Sequence, residues 1–378
     1  MNIVVYRNCF TGDVSGGDMH MAGVLWWLKS VKPEEHISLV SAKNDGQAAM
    51  YEDVSHVNRV TYWAPSSKMP ALLYIMRALL GWWLPRLPYD GKAKNVLIAS
   101  SHFLPDVLPV AYKWRRKNCE RVAYIHHIVQ DMPRNASVST RLAHLQERLC
   151  FWIIKKHFQK VIVVNRAVKQ RLEELGFTKQ SIKVSSNFAS SDPLPVRAFA
   201  HKTTTILFCG RLVKQKGVYD FMSVCRFLQQ KIPDFSAVMI GAGPELERLR
   251  ELVASENLPV EIKGRISEAE KFKLFNQAKL FVFPSIEEGW GIVVAEALIA
   301  GTPALVYDLP VYQEIFDQQL HTVSLGDVDA LQQAALELIS SYNETPAVYH
   351  AEQQHISAFA EQFTKANVAE GEYRFFAL

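Results

Sequence analysis

Charged residues bracketed by glycine recur in the second half of the sequence at spacings that suit phosphate and sugar chemistry. In "GRLVKQKG", Gly210 to Gly217, glycines flank Arg211 and Lys216. Arginine can grip a diphosphate with two parallel hydrogen bonds, lysine acts as a point charge, and glycine admits the ligand to the backbone. Taken alone, the loop also reads as an ordinary solvated turn. In "GAGPELERL", Gly241 and Gly243 make a tight turn before a helix begun by Pro244, which has a structural explanation of its own, so Gly241 is at most pocket lining. "EEGWGIVVAEALIAG", Glu287 to Gly301, places Gly289 and Gly291 around Trp290 and ahead of an apolar helix. The first N–H groups of that helix, from Gly291 and Ile292 onward, offer a positive dipole end to phosphate or sugar hydroxyls, with Glu288 at the same mouth. Glu296 has only Ile292, Val293, Ile299 and Ala300 as helical neighbours. A carboxylate there costs several kcal/mol unless it is hydrogen-bonded. A vicinal diol such as a ribose could supply the bonds, and a buried base from another element is the alternative.

Such loops need a rigid frame. Short β-rich runs ("NIVVYR", "HISLVSA", "NVLIAS", "RVAYIHH", "KVIVVN") alternate with amphipathic stretches, which predicts βαβ units and a parallel sheet. The rhythm pauses at "NFASSDPLPVRAFAHKTT", Asn187 to Thr204, read as an interdomain linker. It resumes with "TILFCG", "FSAVMIG", "VEIKG", "KLFVFPS" and "TPALVYD". Two doubly wound α/β domains are expected, with ligands at the carboxyl ends of the strands.

Composition narrows the function. The chain has 378 residues, room for two domains with a sizeable core. Residues 1–200 carry 27 Lys and Arg against 15 Asp and Glu, a balance of +12; the remainder carries 15 against 23, or −8. That asymmetry assigns the two halves different partners. Cys9, Cys119, Cys150, Cys209 and Cys225 form no CxxC pair, which fits a reducing, cytoplasmic setting and gives no metal framework. The opening "MNIVVYRNCF" reads as a strand rather than a signal peptide, and no apolar run is long enough to span a bilayer. No nucleic-acid module is recognisable in the basic half, so nucleic acid is not an expected partner.

"PSIEEGWGIVVAEALIAGTP", with Glu288 and Glu296, resembles the E-x7-E signature of retaining glycosyltransferases of family 4, of the bacterial surface-polysaccharide type. "GRLVKQKG" is similar to that family's G-R-x-x-x-x-K-G loop, and "IKGRISEAEKFKLFNQAKLFVFPS" resembles the segment from its nucleotide-base loop to the strand before the signature. The likeness covers nearly all of residues 204–340. The first half matches more loosely: "TGDVSGGDMHMAGVLWWL" resembles the family's glycine-rich loop and helix, and "VAYIHHIVQD" the strand ending in a site histidine. "YDLPVYQEIF" replaces a glycine-rich turn and keeps only Glu314 in register, and Asn187-Phe188 stands where Asn-Gly is usual.

The resemblance implies a GT-B fold: two Rossmann-like α/β domains with parallel sheets facing a cleft and a C-terminal helix crossing back. On that reading residues 1–187 bind the acceptor, 188–203 link the domains, 204–355 bind the donor, and 356–378 form the returning helix. Glu296 would hold the ribose, and Glu288, with the amides around Trp290, Gly291 and Ile292, the donor sugar. Arg211 and Lys216 would bind and stabilise the departing diphosphate. Arg265 and Ile266 would meet the base through backbone groups. Gly16 and Gly17 would let the first domain close on phosphates and acceptor, and His126 would line the donor sugar. Strand alternation turns His127 away from any site His126 faces. His102 is as well explained as a structural histidine.

Fixed cations and a helix N-terminus aimed at a departing diphosphate supply electrostatic catalysis. A metal could do the same, but Asp327 and Asp329 in "GDVDALQQAALELI" read as helix capping. The expectation is a retaining, metal-independent hexosyltransferase with no cofactor, using a UDP- or GDP-sugar donor of the mannose or glucose type. Basic-aromatic stretches at 74–89, 113–118 and 148–160 suit an anionic membrane surface and a saccharide acceptor linked to polyprenyl or another lipid, at the inner face of the cytoplasmic membrane. The alternatives are transfer to a soluble small-molecule acceptor, and a nucleotide-sugar-binding protein without transferase activity.

Overall fold

A computed structural model describes residues 1–7, 16–42, 57–63, 71–83, 85, 91–113, 118–126, 128, 138–189 and 202–377. The chain divides into two compact units. Met1–Asn187 with Val368–Leu378 forms the first, and Phe188–Asn367 the second. Most of the expected linker, residues 190–201, lies outside the described residues.

In chain order the first unit contains β1 (Asn2–Tyr6), α1 (Gly16–Val31), β2 (His36–Ala42), β3 (Asn58–Tyr62), α2 (Ala71–Trp83), β4 (Asn95–Ala99), α3 (Leu104–Tyr112), β5 (Glu120–Ile125), α4 (Val138–His157), β6 (Lys160–Val163), α5 (Arg166–Glu174) and β7 (Ile182–Val184). The strands form one parallel sheet in the order β3-β2-β1-β4-β5-β6-β7. Every residue of β1 and β4 is buried, as a strand covered on both faces requires, and this explains their unbroken apolar runs.

The second unit continues with β8 (Thr204–Cys209), α6 (Val218–Gln229), β9 (Ala237–Ile240), α7 (Leu246–Ser255), β10 (Val260–Gly264), α8 (Glu268–Gln277), β11 (Ala278–Phe283), α9 (Ile292–Ile299), β12 (Ala304–Tyr307), α10 (Pro310–Phe316), β13 (His321–Val323), α11 (Val328–Glu344) and α12 (Pro346–Ala360). Its parallel sheet runs β10-β9-β8-β11-β12-β13. Both sheets are doubly wound, the α/β architecture the sequence calls for. Asp327 caps α11, its Oδ1 accepting from the Ala330 N–H at 2.9 Å.

The chain closes with α13 (Lys365–Ala377). The expected returning helix over 356–378 is divided. Residues 356–360 complete α12, which packs on α9 in the second unit, and Thr364 turns extended and breaks the run before α13 begins. Three strands escape the sequence pattern. β3, β7 and β13 all lie at sheet edges, and β7 and β13 are three residues long, so their polar residues leave no apolar signal.

Candidate active site

In the second sheet β8 lies between β9 and β11, so the strand order reverses there. The carboxyl ends of such a pair border a crevice at the topological switch point. The loop after β8 holds Arg211 and Lys216, and the loop after β11 holds Glu288 and Gly291. The two loops are tied by a backbone bond from the Ile286 N–H to the Gln215 carbonyl at 3.0 Å. Lys216 Nζ adds two more bonds, to the Glu287 carbonyl at 2.9 Å and to Glu288 Oε1 at 2.5 Å. Lys216 and Glu288, each expected to meet the donor, are therefore paired with each other. Arg211 is exposed.

Gly291 opens α9 in a left-handed conformation, φ +96°, and a Cβ there would lie 2.8 Å from a Tyr312 ring carbon. Both facts call for glycine. Its carbonyl accepts from Val294 and Ala295 N–H, while the N–H groups of Ile292 and Val293 precede the helical ladder. Trp290, expected to serve through its backbone, has its side chain turned into the core. Its ring is 4% exposed and packs edge-on against Phe316 and Phe363 at 5.6 and 5.3 Å. Only its backbone can serve a ligand; the side chain is core. Tyr312 stands behind the loop, and burial and then the Glu288 charge hold its phenol well above the ordinary value.

Glu296 is 1% exposed. Lys271 Nζ on α8 donates to its Oε1 at 2.8 Å and pairs with Glu268 at 2.7 Å. Burial works against the Lys271 charge, but Glu296 and Glu268 more than offset it and raise its pKa. Glu296 is thus paired with a base from another element, Lys271. Arg265 and Ile266 follow β10 and lead into α8, so Lys271 connects the base-loop helix to the signature helix. Arg265 is exposed and Ile266 half-buried.

Gly241, with φ +144°, is where the strand-end loops meet: a Cβ would fall 1.8 Å from the Gly210 carbonyl oxygen. Backbone bonds run from Gly210 to Ile240, Leu212 to Ala242 and Gly241 to Gly264, lacing three loops into one surface. Its role is to permit that lacing.

In the first sheet the order reverses at β1 and β4. Gly16 and Gly17 begin α1, the helix that follows β1. His126 follows β5, and its Nε2 lies 3.1 Å from the Ser100 carbonyl at the end of β4. Since a carbonyl only accepts, that nitrogen carries a proton. The rings of His20 and Tyr124 each lie 6.1 Å from His126. His127 is outside the described residues. His102 is 1% exposed, stacked on Phe103 and 3.5 Å from Glu147, a structural histidine.

Lys271, Tyr312 and His20 were not visible as site neighbours in the sequence. Each acts across a fold contact with a residue far along the chain.

Over 160 residues the chain is 29% identical to 2-deoxystreptamine N-acetyl-D-glucosaminyltransferase of Niallia circulans, spanning 41% of each chain. It is 25% identical to phosphatidyl-myo-inositol mannosyltransferase of Mycobacterium leprae over 275 residues, 67% of this chain and 72% of that one. The structure of HepE from Anabaena in complex with UDP and glucose superposes with a TM-score of 0.68 over 99% of both chains at 14% identity, a likeness of fold. Residues 195–355, which hold the whole second sheet with Arg211, Lys216, Glu288 and Glu296, match the family of glycosyl transferases group 1.

Proposed function

We propose that the protein is a retaining, metal-independent hexosyltransferase that moves a glucose- or mannose-type sugar from a UDP- or GDP-sugar to a saccharide acceptor. The observation that carries this reading is the convergence of Lys216, Glu288, Arg211 and the start of α9 at the switch point of the second sheet. Similarity to named glycosyltransferases, and a fold neighbour that binds UDP and glucose, support it.

In the proposed reaction the bond from the anomeric carbon to the diphosphate oxygen breaks, and its electron pair stays on phosphate. Arg211, Lys216 and the α9 N-terminus stabilise that charge, the task a metal performs elsewhere. The acceptor hydroxyl bonds to the anomeric carbon from the same face and passes its proton to the leaving phosphate oxygen. Glu288 receives donor-sugar hydroxyls when the diphosphate draws Lys216 from it. The first unit binds the acceptor.

A lipid-linked acceptor at the inner face of the cytoplasmic membrane is part of the proposal. Leu142, Leu145, Leu149 and Trp152 form one exposed stripe along α4, between 47% and 66% exposed. Exposed Arg141, Arg148 and Lys155 run beside it, and Lys156 sits 4.9 Å over the Trp152 ring. Helix α2, packed with α4 on α3, exposes Leu79, Trp82 and Trp83. A basic-flanked apolar face suits anionic headgroups. Arg77 does not contribute, because it is 2% exposed, and residues 114–117 lie outside the described residues. No described helix is long and apolar enough to cross a membrane.

Calorimetry with UDP, GDP and their common sugars in EDTA tests the donor site. Saturable binding of one diphosphate, lost in Arg211→Ala, is the expected result. Binding of a diphosphate that Arg211→Ala leaves intact removes the proposed site.

A further inference from the structure

Glu372 is a fully buried carboxylate on α13. Its Oε1 lies 2.8 Å from His20 Nε2 on α1, and its Oε2 accepts from the Tyr124 hydroxyl on β5 at 2.6 Å. Ser185, just after β7, adds a third hydrogen bond. Burial raises the Glu372 pKa, but the His20 charge and the three side-chain bonds outweigh it and hold the carboxyl below its ordinary value. Burial and Glu372 together push the Tyr124 phenol well above its own. A carboxylate only accepts, so His20 Nε2 carries a proton.

Two of the elements bound by this one acid, α1 and β5, carry rings that lie beside His126. His20 stands one turn beyond Gly16 and Gly17, Tyr124 is two residues before His126, and both rings touch the His126 ring. Other contacts also fasten α13. Tyr373 donates to Glu35 at 2.6 Å, Lys94 to the Ala377 carbonyl at 2.8 Å, Lys183 to the Gly371 carbonyl, and Phe376 is fully buried. A buried ion pair is often no more stabilising than apolar residues of the same volume. An acid at this place has another use available to it: both of its ring partners face His126.

We propose that Glu372 is a positioning residue for the His126 side of the site: it fixes the proton on His20 Nε2 and sets the His20 and Tyr124 rings against His126. The inference rests on the functional reading above in taking His126 to line the donor sugar. The C-terminal helix is then a working part of that site.

Glu372→Gln tests it, keeping the volume and removing the charge. Two constants are read on the full chain: the diphosphate Kd, and the rate of diphosphate release from the matching sugar nucleotide in water. The ring nitrogens of His20 and His126 are followed by NMR. Expected are a Kd within about twofold of wild type, a release rate at least about tenfold lower, and shifted His20 and His126 resonances, because small misplacements of reacting groups are costly. A lower melting temperature with unchanged release and an unmoved His126 ring overturns the proposal and leaves Glu372 a strut. Should Glu372→Gln not fold, Tyr124→Phe removes one donor to the same acid, with the same expectations. If wild type releases no diphosphate from any sugar nucleotide, the functional reading fails, and the His126 resonances alone then decide whether Glu372 positions that ring.

Discussion

Lys216 Nζ and Glu288 Oε1 stand 2.5 Å apart, a charge pair joining the loop after β8 to the loop after β11. Both side chains are largely shielded, 15% and 14% exposed, so the pair is poorly screened. It stores the cation the proposed diphosphate needs beside the carboxylate the proposed sugar needs.

Replacing either partner separates their roles. Lys216→Ala should weaken diphosphate binding by roughly 1.5–3 kcal/mol, the worth of a hydrogen bond to a charged group. Glu288→Ala should leave diphosphate affinity near wild type and lower turnover by about 10²–10³. Titration calorimetry and single-turnover rates check the two; equal effects on both constants would contradict the division.

Lys271→Met strands Glu296. Removing one partner of a buried pair costs roughly 3–5 kcal/mol, and urea denaturation should show a loss of that order. The double variant Lys271→Met with Glu296→Gln should recover part of it, since the stranded charge is gone. A single variant within about 0.5 kcal/mol of wild type would mean that the pair is solvated.

The second unit was largely legible in the sequence. Arg211, Lys216, Glu288 and Gly291 carry their chemistry within one loop each, and the buried strands beneath them are unbroken apolar runs. What was hidden depends on pairing at a distance. Glu296 looks costly in isolation, yet nothing in "SEAEKFKLF" marks Lys271 as its partner. Trp290 stands between two glycines in a polar loop, and nothing there announces that its ring packs on Phe316 and Phe363. Edge strand β13 has too few residues to show a period.

Gly241→Ala should be severe for its size. It adds a Cβ at 1.8 Å from a backbone oxygen and demands a φ that side chains avoid, so the Gly210 loop must shift. Nucleotide binding and thermal stability should fall together. An alanine variant with wild-type affinity would show that the lacing of these loops is dispensable.

The α4 stripe gives the membrane proposal a sharp test. Wild type should float with anionic liposomes at low salt and release at high salt. Leu145→Glu with Trp152→Glu should reduce the bound fraction about tenfold or more, given what burying such side chains contributes. Equal flotation of both proteins argues for another surface.

Acid stability should depend on Glu352. His321 Nε2 and the Tyr342 hydroxyl each meet it at 2.6 Å. Burial raises its pKa, but these partners outweigh that and lower it. A depressed folded pKa contributes stability that is present above the unfolded value, about 4.3, and is lost as pH falls through the folded value. Glu352→Gln should therefore flatten the decline of unfolding free energy on the acid side of that value. A variant with an unchanged slope would assign the acid sensitivity elsewhere.

Because Val368–Leu378 belongs to the first unit, the order of synthesis and the order of assembly differ. The ribosome delivers all of Phe188–Asn367 before the segment bearing Glu372 emerges, and domains fold as units while the chain grows. The second unit can close on its own residues, while the first waits with His20 and Tyr124 lacking their acid. A nascent chain cut before Val368 would thus carry a complete second unit joined to an incomplete first one. Completion of the first unit therefore depends on a helix made after the whole of the second.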